Sequence, residues 1–108
     1  MTYEQIVSKV KAKYADADAS SLSGTVAIQI NLTGKNVEGF FYIEAEDGRV
    51  NVDAYDYHDN EAIVTVAPTN LLKILDGKLK PAIAYTTGRV SVDGDVNAVL
   101  QLIDLAVK

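Results

Sequence analysis

Apolar and polar positions along this 108-residue chain follow two periods in turn. Thr2 and Gln5 stand three apart, a capping-box pattern that satisfies the first free N–H groups of a helix. Tyr3, Ile6, Val7, Val10 and Tyr14 then recur at helical spacing, leaving Lys9, Lys11 and Lys13 for water. "ADADASSLSG" ends that helix. From Thr25 the period becomes two: Val26, Ile28, Ile30 and Leu32 alternate with Ala27, Gln29 and Asn31, as a strand with one buried face requires. The same alternation recurs in 37–45, 50–54, 62–66 and at Val90 with Val92, which predicts five strands. "TGKN" and "EDGR" link the first three, and Gly34 and Gly48 tolerate the positive φ of tight hairpins, so an antiparallel meander is expected.

"PTNLLKILDG" reads as a helix with Leu71, Leu72 and Leu75 inward and Gly77 at its stop. A last helix opens at Asp95, a good N-cap, and runs to the C-terminus through Val96, Val99, Leu100, Leu102, Ile103, Leu105, Ala106 and Val107. Its apolar surface is broader than contact with one sheet face demands. Either the helix is deeply buried, or it lines a cavity that holds something apolar. The order α-β-β-β-β-α-β-α defines an α+β domain: a five-stranded, mostly antiparallel sheet with helices on one face. Residues 1–108 are read as a single domain.

Charge and composition narrow the choice of function. The net charge of -5 argues against a nucleic-acid binder, which needs clustered Lys and Arg. No apolar run reaches the roughly 18–20 residues that span a bilayer. "MTYEQIVSKV" lacks the layout of a secretion signal and "AVK" that of a Ser-Lys-Leu peroxisomal address, so the expected location is cytoplasmic. The absence of cysteine excludes thiol nucleophiles and thiolate metal sites. "VDAYDYHDN" gathers Asp53, Asp56, His58 and Asp59, the one constellation that resembles a metal or acid–base site. With a single histidine, and with strand alternation setting Asp53 opposite Asp56 and His58, it reads as a turn of solvated acids. No catalytic residue, metal or cofactor is expected.

The densest punctuation, "DGKLKPAIAYTTGRVSVDGD", carries a family resemblance. Gly77, Lys78, Leu79, Pro81, Ala84, Tyr85, Gly88, Arg89 and Gly94 occupy, in order, the positions of a G-K-L-x-P-x-x-A-(aromatic)-x-x-G-(Lys/Arg) segment and the later glycine. Over residues 61–105 the chain resembles the sterol carrier protein type two domain, or nonspecific lipid-transfer protein. The resemblance implies that Pro81 starts a short helical turn, that Gly88 releases the chain into an edge strand, and that these parts help enclose an apolar tunnel. Its implied ligands are a fatty acid, acyl-CoA, phospholipid or sterol.

The implied tunnel wall takes Ile28, Ile30 and Phe41 from the sheet, and Leu71, Leu75 and Leu79 from the Leu-rich helix and the residues after it. Ile83 and Tyr85 come from the short turn, and Val99, Leu100 and Ile103 from the last helix. Lys73, Lys78, Lys80 and Arg89 are candidate contacts for a headgroup or a transient anionic membrane. Where animal members often carry glutamine, this chain has Thr87 and Ile103, which shifts the expected ligand from sterol towards acyl chains. A monomer is expected. The alternative is a non-catalytic structural or protein-interaction domain whose core is filled at normal density.

Overall fold

The capping box predicted at Thr2 is formed. The computed structural model describes residues 2–22, 24–34, 37–54 and 60–107, and its first helix, α1, covers Tyr3–Lys13. The Gln5 amide donates to the Thr2 side chain at 3.2 Å, and the Thr2 amide donates to the Gln5 side chain at 2.8 Å. Ile6, Val7 and Val10 are buried, and Tyr14 closes the helix from beneath as its C-cap.

Five strands follow the period-two segments: β1 (Val26–Leu32), β2 (Gly39–Glu46), β3 (Arg49–Asp53), β4 (Ala62–Val66) and β5 (Val90–Gly94). They form one mixed sheet in the order β3-β2-β1-β4-β5. The meander is antiparallel, as is the β4–β5 pair. β2 already occupies one side of β1, so β4 takes the other and runs parallel to it, with Ile30 opposite Val64. Asp47 and Gly48 both have positive φ, 53° and 78°, between the paired Glu46 and Arg49, as a two-residue hairpin turn demands. Lys35 and Asn36 of the other hairpin segment lie outside the described residues.

Helices α2 (Pro68–Leu75), α3 (Pro81–Thr86) and α4 (Val96–Ala106) complete the chain. Leu71, Ile74 and Leu75 are the buried residues of α2. Leu72, expected inward, is half-buried, because it borders the cleft towards α1 and Ile74 takes the core position instead. α2 and α3 stop in the same way. The Gly77 and Lys78 amides donate back to Ile74 and Lys73, and the Gly88 and Arg89 amides to Tyr85 and Ala84, the paired bonds of a Schellman cap. The Asp95 carboxylate accepts from the amides of Asn97 (2.9 Å) and Ala98 (3.3 Å), which starts α4 as predicted.

α4 packs over β1 and β4, in the middle of the sheet. α1 lies by β3 and α2, and α3 by the edge strand β5. The face under the helices carries the apolar row Val92, Val64, Ile30 and Phe41, opposite one another in register. The other face is polar, with Tyr42 and Asn60 both donating to Gln29 Oε1. Among the described residues no helix is long and apolar enough to cross a membrane.

Candidate functional site: an apolar cavity

A cavity of about 240 Å³ lies between the helices and the sheet. Its floor is built by the period-two face of four strands: Ile43 of β2, Ile28 and Ile30 of β1, Val64 and Val66 of β4, and Val90 and Val92 of β5. α2 contributes Leu71, Ile74 and Leu75, and α4 contributes Val96, Val99, Leu100 and Ile103. Pro81, Ala82, Tyr85 and Thr86 of α3 form one side, and Tyr14 closes the far end. The breadth of apolar surface on α4 is thereby explained. Ala98, Leu102 and Ala106 are buried away from the space, while Val96, Val99, Leu100 and Ile103 turn to the cavity.

Of the eleven positions expected in the wall, Ile28, Ile30, Leu71, Leu75, Tyr85, Val99, Leu100 and Ile103 meet around this space. The other three lie elsewhere. Phe41 is fully buried in the filled part of the core, and Leu79 packs half-buried against that core. Ile83 is 49% exposed on the outer side of α3, because a six-residue helix that buries only Ala84 has little inward surface to share. Sequence reasoning did not assign Tyr14, Ile43, Ile74, Val64 or Val66 to the wall, nor the edge-strand valines. Strand parity was the available signal for most of them. It places Ile43 and Phe41 on the same face without telling which of the two borders a void.

The four candidate cations sit on and around α2 and α3. Lys78 lies close enough to Asp76 to help hold its carboxyl below the ordinary range, chiefly the work of the Lys13 ammonium, which donates to it. Lys73 projects from exposed α2 surface. Lys80 is the N-cap of α3 and Arg89 follows its C-terminal glycine, so these two bracket the helix beside the cavity. None of the four lines the cavity itself.

Few polar groups reach the space. The Tyr14 hydroxyl donates to the Leu102 carbonyl at 2.8 Å, and burial pushes its ionisation far above the ordinary tyrosine range. Thr86 Oγ1 donates to Ile83 O at 3.2 Å. The Thr87 hydroxyl donates to the same carbonyl at 2.7 Å and does not line the cavity. Asp53 ends β3, whereas Asp56, His58 and Asp59 lie outside the described residues. Among the described residues no cluster of acids and histidine could hold a metal ion.

Such a site defines an α+β domain built around a small apolar chamber. The sequence matches the SCP-2 sterol transfer family over residues 4–107, and the chain belongs to that family. No curated protein sequence matches it significantly. Palmitated SCP2L2 from Aedes aegypti is similar in fold, with a TM-score of 0.68 at 20% identity over 98% of this chain and 95% of that one. So is a UbiJ-SCP2 ubiquinone synthesis protein, with a TM-score of 0.72 at 19% identity over 96% and 91% of the two chains. The inverting sec-alkylsulfatase Pisa1 from Pseudomonas sp. gives a TM-score of 0.67 at 16% identity over 75% of this chain, which spans only 13% of the enzyme's length. Family membership supports a lipid-binding or lipid-transfer role.

Proposed function

We propose that this protein carries the acyl chain of a fatty acid or acyl-CoA in the cavity without acting on it chemically. The observation that carries this is the 240 Å³ space whose walls are almost wholly aliphatic. Burying hydrocarbon there releases water from both surfaces, at about 0.8 kcal/mol per methylene. A structural or interaction domain would have those same side chains packed to normal density, and the void speaks against it. The palmitated state of the mosquito relative is consistent with an acyl ligand.

Acyl chains are favoured over sterols by what the wall lacks. Ile103 presents only alkyl surface, and the Thr87 hydroxyl is committed to α3, so neither replaces the polar partner that a buried sterol hydroxyl needs. A fluorescent fatty acid is expected to brighten on binding and to be displaced by unlabelled oleate. No change in fluorescence at saturating protein would refute the carrier function. Cholesterol competing better than palmitate would refute the preference for acyl chains while leaving lipid binding intact.

A further inference from the structure

We propose that the cavity is a one-ended slot: a single-tailed amphiphile enters methyl end first, about ten carbons are buried, and the polar head stays on α3 beside Tyr85. This rests on the lipid-carrier function above and adds direction, length and a head position to it.

The lining residues divide into an exposed group and a closed group. Tyr85 is 53% exposed, Val96 44% and Leu100 38%, yet all three line the space, so the mouth lies between α3 and the N-terminal half of α4. At the opposite end Tyr14 is 3% exposed and fixed to α4 through Leu102 O. Ile43, on β2, is equally closed off from water. Three strand spacings separate Ile43 from the β5 valines near the mouth.

Polarity follows the same axis. The tyrosine hydroxyl at the blind end has already donated its proton, and the surrounding wall is aliphatic. A carboxylate driven to that end would lose its hydration with no donor to replace it, which strongly disfavours that orientation. At the mouth the Tyr85 hydroxyl makes no hydrogen bond among the described residues and stands in reach of solvent. A head placed there keeps its water and gains a donor, between the ends of α3 that carry Lys80 and Arg89.

Two measures of size bracket about ten carbons. Three inter-strand steps of about 4.8 Å give a run of roughly 14 Å. Carbon–carbon bonds of about 1.5 Å advance a zigzag chain by roughly 1.25 Å each, so about eleven carbons fit. At about 30 Å³ per water-sized group, the 240 Å³ volume holds about eight. Methylenes beyond about ten lie across the wet rim and add little.

The test uses the intact protein with uniformly ¹³C-labelled decanoate and isotope-filtered NOE spectroscopy, alongside calorimetry with saturated acids from hexanoate to palmitate. The terminal methyl is expected to contact the Tyr14 ring and Ile43, and the C2 methylene the Tyr85 ring. Affinity is expected to rise roughly tenfold for each two carbons and to flatten near decanoate. Tyr85→Phe, which keeps the exposed ring, is expected to weaken decanoate about threefold through the lost hydrogen bond. Reversed NOE contacts, a steady rise through palmitate, or an unchanged affinity in Tyr85→Phe would overturn the slot while leaving the carrier function standing. Absence of binding at every length would overturn both.

Discussion

Tyr14 joins helix capping, through its backbone amide, to core packing and the cavity wall, through its side chain. Its hydroxyl spans α1 and α4, so Tyr14→Phe is expected to cost about 1 kcal/mol in urea unfolding without changing the fold. Its helical spacing was plain in the sequence, and so was its burial. Its place at the end of a cavity was not, because that depends on how α1 meets α4. Asp76 gives a complementary test at the surface. The Lys13 ammonium lowers its carboxyl, so this stabilisation is complete above the ordinary carboxylate range and disappears as pH falls through the lowered folded-state value. Asp76→Asn is therefore expected to lower Tm slightly at neutral pH and to leave it unchanged in strong acid, as followed by thermal circular dichroism.

The elements differ in how locally they are written. The α1 capping box, the Asp47–Gly48 hairpin and the Asp95 cap each depend on residues within a few positions, and each was legible in the chain. The parallel β1–β4 pairing was not, since Ile28 and Ala62 meet across a register that no local pattern records. α3 is intermediate: Pro81 and Gly88 mark its ends, but six residues are too few for spacing to show which side faces in. The later glycines separate two physical demands. Gly88 has φ 78° with open space around a would-be Cβ, so Gly88→Ala is expected to cost about 1–2 kcal/mol from backbone strain alone. Gly94 has φ 120°, and a Cβ there would meet Glu61 O at 2.4 Å and the Ala62 Cα at 2.8 Å. Gly94→Ala is expected to cost more than about 3 kcal/mol by chemical denaturation, because the β5–α4 junction must move off β4.

Across the molecule the net charge is -5, yet Lys80 and Arg89, at the two ends of α3, are both basic. Changing Lys78→Glu and Lys80→Glu together is expected to slow lipid transfer to anionic vesicles and to flatten its dependence on salt, since exposed charges are screened over about 10 Å at 0.1 M. Transfer to neutral vesicles is expected to stay at the original rate. A double variant that loses thermal stability yet delivers to both vesicle types unchanged would show that these lysines serve only the helix ends. The cavity also has a mechanical consequence. An apolar void tends to stay dry, and unfolding abolishes it, so the native state occupies more volume than the unfolded chain and solvent together. Hydrostatic pressure is therefore expected to unfold the empty protein readily, with tyrosine fluorescence as the reporter in a chain that has six tyrosines and no tryptophan. A bound acyl tail replaces that void with hydrocarbon, and the volume change of unfolding is expected to shrink as the tail lengthens, up to the length at which the slot is full.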